Sequence, residues 1–315
     1  MLGIDVSKAQ LVCTLLDPTT RQNLWTRTLP NTAGGCHDLL TQTPADHPWV
    51  LEPTGRYSAA VVKQAQAKGR TVLLAPPRQA QRFLQAVQTR AKTDRLDSAG
   101  LALFALSVPL RPYPIKPDAV EQLEQLLTAR QGIVQAITSL QLRIAELPHA
   151  AAPLTKAVAD LKTQREALDR QIRALTQKQE QLAALVATLQ TVPGIGPVTA
   201  TSVAARLTSK EFGHPDQFVA YIGLDVAVRQ SGKRAGDCGL TKQGDGELRR
   251  LLYLCARANL RVNESPFRTQ YERERKKGLS KTAALNAVAR KLARLCWSLA
   301  KHGTTYDPDR VHKQG

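Results

Sequence analysis

The sequence contains no stretch approaching 18 consecutive apolar residues, and therefore no candidate for a membrane-spanning helix. No leader of the secretory type precedes Gly3-Ile4-Asp5, so a secreted or membrane-bound protein is not expected. The five cysteines, Cys13, Cys36, Cys238, Cys255 and Cys296, are odd in number and form none of the close pairs typical of structural zinc, and the six histidines are equally scattered. These absences argue against a disulfide framework or a zinc module and point to a reduced, cytoplasmic protein. A glycine-rich phosphate loop is also missing after the first strand-like run, which removes the main signature of a doubly wound dinucleotide fold.

What the sequence has in excess is positive charge: 44 Lys and Arg against 26 Asp and Glu give a formal charge of +18 over 315 residues. Residues 191–315 hold 22 of these cations against 11 acids, so the excess is densest in the C-terminal part. With 43% hydrophobic and 22% charged residues, the chain has the composition of a folded protein, and its length suggests more than one domain. A folded protein with this surplus of cations fits a polyanion partner, nucleic acid first.

Apolar alternation predicts strands at Leu2–Val6, Leu11–Leu16 and Asn23–Leu29, followed by a helix at Cys36–Thr41, a strand at Trp49–Glu52, a helix at Ser58–Ala67, a strand at Thr71–Ala75 and a helix at Arg78–Val87. An antiparallel meander followed by alternating helices and strands is the order of a ribonuclease H-like domain, here 1–112. A heptad pattern of apolar residues then runs from Ala119 to Leu147 and restarts at Leu154, continuing to Leu189. It predicts two long helices across 113–190, joined at Pro148-His149-Ala150-Ala151-Ala152-Pro153 and suited to a coiled-coil hairpin or to self-association.

The last segment, 191–315, opens on Val192-Pro193-Gly194-Ile195-Gly196-Pro197, which reads as a helix-hairpin-helix turn able to offer backbone N–H groups of Gly194 and Gly196 to a phosphate, or as a tight helical corner. A Gly- and Lys-rich loop follows from Arg229 to Gly246, with helices around Leu248–Ala258 and Lys281–Leu299. The fold class is thus α/β followed by a mainly helical C-terminal domain.

Four carboxylates stand where a metal-dependent nuclease needs them. Asp5 lies in the first strand and Glu52 at the end of the fourth, while Asp94 and Asp97 are three residues apart at the start of a helix and share one face. Oxygen ligands from two strands and one helix can hold Mg²⁺ against a phosphodiester. Taken singly, each acid also reads as a solvated residue or a helix cap.

Three segments of the first domain, Gly3-Ile4-Asp5-Val6-Ser7-Lys8, Glu52-Pro53-Thr54-Gly55-Arg56-Tyr57 and Lys92-Thr93-Asp94-Arg95-Leu96-Asp97, resemble the N-terminal signatures of the DEDD transposases of bacterial insertion sequences, the insertion-sequence 110 family. Pro193-Gly194-Ile195-Gly196, Tyr221-Ile222-Gly223-Leu224, Gln230-Ser231-Gly232-Lys233 and Leu248-Arg249-Arg250-Leu251-Leu252 resemble that family's second domain in order and spacing. The resemblance implies a RuvC-like N-terminal fold, a transposase or recombinase activity, and Asp5, Glu52, Asp94 and Asp97 as ligands of Mg²⁺ (or Mn²⁺). It implies Ser231 as nucleophile. It also implies target and donor DNA as substrates, a structured noncoding bridge RNA as guide and a site of action at the bacterial nucleoid, while the heptad helices point to a homo-oligomer (dimer or tetramer).

Around the serine, Gly232 permits close approach of the backbone, and Arg229, Lys233 and Arg234 can steady an anionic phosphate. The same loop also reads as an ordinary turn. Arg249 and Arg250 read equally as nucleic-acid contacts or as a solvated helix face. The chain departs from the family pattern at Val226, where proline is expected, at Leu240-Thr241-Lys242 in place of Ile-Ser-Lys, and at Asp245 in place of asparagine. Thr241 leaves Ser231 with little rivalry, because a β-branched hydroxyl is a hindered nucleophile. Two other functions are compatible with the sequence: a RuvC-like nuclease that resolves junctions through the acids alone, and a non-catalytic nucleic-acid scaffold.

Overall fold

The computed structural model describes residues 1–53, 55–87, 94–227, 230–231, 234–235, 239–262 and 265–309, and it divides into two compact units, Met1–Ile115 and Lys116–Gly315.

The first unit is built on a five-stranded sheet, β1 (Leu2–Val6), β2 (Gln10–Leu16), β3 (Asn23–Pro30), β4 (Trp49–Leu51) and β5 (Val72–Leu74), in the order β3-β2-β1-β4-β5. The first three strands form the expected antiparallel meander, and β4 and β5 add in parallel beside β1. Four helices, α1 (Ala33–Gln42), α2 (Arg56–Ala67), α3 (Pro77–Val87) and α4 (Asp94–Ser107), cover it. Period-two alternation sorts the strands: Leu2, Ile4, Val6, Leu11, Cys13, Leu15, Trp49 and Leu51 face α1 and α2 in one core cluster. Val50 and Leu73 face the other way, against Leu101 and Phe104 of α4. Burial pushes the Cys13 thiol up to about 12, with Cys36 and the carboxylate of Asp5 adding to it, and pushes Cys36 up to about 11. Both are packing residues.

Close contact between α4 and the sheet depends on Gly3. A methyl group there would lie 1.9 Å from the Ser98 carbonyl oxygen and 2.7 Å from the Ala102 nitrogen, both backbone atoms that cannot swing aside. The approach brings the Ser98 hydroxyl to 2.7 Å from that of Thr14, which pairs with Gly3 across the sheet and itself lies 3.1 Å from the Thr26 hydroxyl. Gly3→Ala is therefore expected to destabilise the first unit by about 3 kcal/mol or more, at the upper end for overpacking. Thermal denaturation followed by circular dichroism should show a midpoint lower by roughly 10 °C or more, and a midpoint unchanged within about 2 °C would contradict the close crossing.

The second unit is helical: α5 (Asp118–Glu146), α6 (Ala151–Gln177), α7 (Glu180–Gln190), α8 (Pro197–Ser209), α9 (Pro215–Ile222), α10 (Gly246–Asn259), α11 (Pro266–Lys276) and α12 (Lys281–His302), with a two-stranded hairpin, β6 (Gln230–Ser231) and β7 (Arg234–Ala235). A single 3-10 turn, Pro148–Ala150, joins α5 to α6. The pairing of Arg130 with Asp169 (2.5 Å), equidistant in sequence from that turn, shows the two helices folded back antiparallel on one another.

The heptad pattern from Leu154 to Leu189 predicts one helix, whereas the chain breaks at Lys178–Gln179. Gln179 is extended, with φ −112° and ψ 98°, and sits in a polar run that offers nothing to bury. Leu182, Val186 and Leu189 of α7 instead join the core of the C-terminal helices, alongside Leu123 and Leu127 of α5. Helix α12, with Leu292, Ala293 and Cys296 fully buried, runs through that core and packs on α7, α8, α9, α10 and α11. Helix α11 has no counterpart among the helices that the sequence pattern predicts: it starts at Ser265, whose hydroxyl accepts from the Phe267 N–H, and its face is too polar to show apolar periodicity. Among the described residues no helix is long and apolar enough to cross a membrane.

Candidate functional site

In the first unit the register of β1 against β4 sets the geometry of the acids. Ile4 is paired with Leu51, so Asp5, the next residue of β1, and Glu52, the residue just past the end of β4, come side by side, with the strands roughly 4.8 Å apart. Pro53 holds the residue before it in extended backbone, which continues the alternation through Glu52. Both acids thus fall on the α4 side of the sheet, and both are half-buried. Asp97 of α4, also half-buried, immediately precedes Ser98, the residue that crosses β1 at Gly3 and bonds Thr14 on β2. Asp94 is the first residue of α4, and its side chain lies outside the described residues.

The structure accordingly brings together the elements that carry all four acids, with Asp5 and Glu52 as the pair it sets side by side. No group of three metal-ligating side chains converges among the described residues. A pair of half-buried carboxylates nevertheless fits Mg²⁺ or Mn²⁺, since such an ion keeps several waters and is held by one or two carboxylates together with substrate phosphate oxygens.

Sequence reasoning missed the residue that ties the first two signatures together. The Asn31 side-chain amide donates to the Ser7 carbonyl (2.8 Å) and to the Tyr57 carbonyl (3.1 Å), linking the turn after β1 to the start of α2. Its only sequence signal is its place between Pro30 and Thr32, where it reads as a turn residue.

In the second unit, Ser231 ends β6 and pairs with Arg234 of β7, so the serine stands beside the tip of a hairpin. Arg229, Gly232 and Lys233 lie outside the described residues, as do the side chains of Ser231 and Arg234. The hairpin is closed at its base by a bridge between Val226 and Leu240 and by the Ala227 N–H donating to the Gly239 carbonyl at 2.8 Å. The Thr241 hydroxyl donates to the Asp225 carboxylate, so this rival hydroxyl fastens the foot of the loop. Asp245 caps α10, accepting from the Leu248 N–H at 2.9 Å, and receives the Arg206 guanidinium at 3.0 Å. Its departure from asparagine thus supplies a charged partner for Arg206.

The expected nucleic-acid contacts divide by environment. Gly194 takes φ +79°, and a methyl group there would meet the Asn259 amide nitrogen at 2.5 Å, so this glycine serves packing against α10. Gly196 is exposed, with open space at its Cβ position, and as N-cap of α8 leaves the first-turn N–H groups without a side-chain cap. Arg249 donates to the Ile222 carbonyl at 2.8 Å and holds the end of α9. Arg250 pairs with Glu247 through two hydrogen bonds of 2.7 and 2.8 Å, which raise its pKa further above an already high value. Both arginines have partners within the protein.

Comparison with known proteins covers both units. A family model described as "Transposase", of the DEDD type of IS110 elements, matches residues 2–153, the span of Asp5, Glu52, Asp94 and Asp97. A second, described as "Transposase IS116/IS110/IS902 family", matches 186–272, the span of Gly194, Gly196 and Ser231. The chain is similar to a "Probable family 20 transposase" of Pseudomonas aeruginosa, 29% identical over 194 residues, covering 58% of this chain and 56% of that protein. It is similar to the "Transposase for insertion sequence element IS1328" of Yersinia enterocolitica, 32% identical over 121 residues, 38% of this chain and 36% of the relative. A "Pilin gene-inverting protein" of Moraxella bovis is 24% identical over 326 aligned positions, 99% of this chain and 98% of that protein. The alignments thus span little more than half of the first relative and about a third of the second.

Proposed function

Because the chain belongs to the IS110/IS116/IS902 family of transposases, we propose that it is a DNA recombinase that cuts, exchanges and rejoins strands for an insertion element. The observation that carries this reading is the register that sets Asp5 of β1 beside Glu52 at the end of β4, on the sheet face crossed by the helix bearing Asp94 and Asp97. The sheet order β3-β2-β1-β4-β5, antiparallel and then parallel, supports a ribonuclease H-like, RuvC-like first unit. The name of the Moraxella relative, which inverts a pilin gene, supports DNA rearrangement as the outcome.

Asp5, Glu52, Asp94 and Asp97 are the residues that would hold Mg²⁺ or Mn²⁺. Such an ion, when bound, polarises a phosphoryl oxygen and offsets the charge that builds up on the phosphate. Ser231 supplies the nucleophile: its hydroxyl gives up its proton as its oxygen bonds to a DNA phosphorus, the bond from that phosphorus to the departing strand's oxygen breaks, and the departing oxygen takes up a proton in its place. Attack by the hydroxyl of another strand reverses the step and releases the serine, so rejoining needs no external energy source. The +18 charge supports a polyanionic assembly, which in this reading comprises target DNA, donor DNA and a structured bridge RNA that selects sequence by base pairing. The half-buried seam of the α5–α6 hairpin supports assembly into a dimer or tetramer.

Strand exchange by the purified chain, supplied with its RNA and DNA carrying the element's ends, is expected to stop on chelation with EDTA and to return on addition of Mg²⁺ or Mn²⁺. Exchange at full rate in EDTA would remove the acids from the mechanism.

A further inference from the structure

Beside the base of the Ser231 hairpin, a cleft of roughly 690 Å³ opens between the 239–242 segment and the helices α11 and α12. Five cationic side chains line it, Lys242, Arg273, Arg290, Lys291 and Arg294, against one carboxylate, Glu274. Glu274 is occupied: the Gln270 amide donates to it at 2.7 Å, and Lys277 reaches it at 3.2 Å. Arg294 is likewise engaged, with Asp216 at 2.7 Å.

Of the other cations, Arg273 lies 3.9 Å from Glu274 and Lys242 is exposed, while Arg290 and Lys291 are half-buried and form no ion pair among the described residues. Arg290 donates from Nε to the Leu224 carbonyl at 3.0 Å, and its two outer nitrogens have no hydrogen-bond partner among the described residues. Lys291 is half-buried and has no hydrogen-bond or ion-pair partner among the described residues. Burial, and then the positive charge of Arg273, lower its pKa; burial, and then Arg294, lower that of Arg290 against the opposing pull of the Asp225, Asp216 and Glu274 carboxylates. Lys242 is held at φ +53°, the left-handed region that a side chain adopts only under constraint. The constraint is visible in the backbone around it, where Thr241 N–H donates to the Asp225 carbonyl and Asp245 N–H to the Tyr221 carbonyl, both at 3.0 Å.

Arg290 and Lys291 are partly withdrawn from water beside other cations, a cost that an anion entering the cleft would offset, and the exposed Lys242 adds a third positive charge. The volume far exceeds a single phosphate group, and the cations sit on three different elements along the walls. We propose that this cleft seats the sugar–phosphate backbone of a polynucleotide strand on Lys242, Arg290 and Lys291. The assignment rests on the reading of the chain as a DNA recombinase and gives the strand a place next to the nucleophile's hairpin. Val226, which lines the cleft, is five residues from Ser231, so their Cα atoms are at most about 18 Å apart, a reach of a few nucleotides.

The test uses the full chain carrying Lys242→Asn and Lys291→Gln together, since asparagine tolerates the left-handed backbone and Arg290 is needed to hold Leu224. Binding to a labelled random-sequence DNA duplex and to a labelled single-stranded RNA of equal length is measured by fluorescence anisotropy across a salt series. The slope of log affinity against log salt is expected to flatten by about 1.4 to 1.8 in whichever nucleic acid occupies the cleft, with at least one of the two arms responding. The exposed pair Lys156→Gln and Lys162→Gln on α6 is expected to leave both slopes within error. Thermal unfolding should show the Lys291→Gln midpoint unchanged or raised, because a desolvated, repelled charge is gone. Slopes unchanged in both arms, or flattened equally by the α6 pair, would overturn the proposal. The proposed chemistry is judged separately: a covalent serine–DNA adduct formed by a variant with unchanged slopes leaves the recombinase reading standing without the cleft.

Discussion

Asp5→Asn is expected to lower strand exchange by about 10²- to 10³-fold or more while leaving the affinity for non-specific DNA within about threefold of the parent chain. The two effects separate because they arise from different parts of the molecule. Asparagine keeps the shape of Asp5, so the pairing of Asp5 with Val12 on β2, and the close crossing at Gly3, should persist. What disappears is the anionic oxygen that, in the proposed site, would join Glu52 in holding a hard divalent ion. Binding to phosphate, by contrast, rests on the cationic surplus of the chain, and removal of one acid leaves the salt dependence of binding nearly untouched. Exchange rates and anisotropy measured side by side check this. Exchange by Asp5→Asn at the parental rate would contradict the metal-site assignment, as would an equal loss of binding.

The first domain was legible because its strands are short, strongly apolar and separated by turn residues. The five runs read from the sequence match β1 to β5 to within two residues at either end, including β4 and β5, which are only three residues long. The pattern alone placed Asp5 in β1 and Glu52 at the end of the fourth strand, which in the structure closes one residue earlier, at Leu51. Their alignment did not follow from the pattern: it depends on the β1–β4 register, which is a property of pairing between distant segments. Gly3 gave no signal either, since a glycine in a strand announces a close approach without saying what approaches. In the second unit the heptads located the α5 and α6 helices but concealed the break at Lys178–Gln179, because the seven-residue spacing continues through it while the partner surface changes from α5 to the C-terminal core. The arginines of α10 read equally as nucleic-acid contacts or as a solvated helix face, yet Arg249 and Arg250 have partners at Ile222 and Glu247 that only folding brings within reach of the first and orients for the second. Lys242 and Lys291, far apart in the sequence, gave no sign that they line one cleft.

Ser231→Ala is the second variant for which a near-complete loss is expected, since no other atom of the side chain can form the bond to phosphorus. The backbone pairing of Ser231 with Arg234 involves main-chain atoms only, so alanine should leave the hairpin in place. Thr241→Val separates nucleophile from structural hydroxyl: it removes the hydrogen bond to Asp225, at a cost of about 1 kcal/mol in stability, and should still form the adduct. A hydrolytic nuclease working through the acids alone would show the opposite pattern, with Ser231→Ala cutting normally and leaving free ends.

The most direct measurement is therefore to stop a reaction of the full chain with labelled DNA, its RNA and Mg²⁺, digest the protein, and map by mass spectrometry the peptide that carries a nucleotide remnant. The account predicts a phosphodiester linkage on Ser231, absent when that residue is alanine and retained in Thr241→Val. A remnant on any other side chain, or strand exchange that proceeds without any covalent adduct, would contradict it.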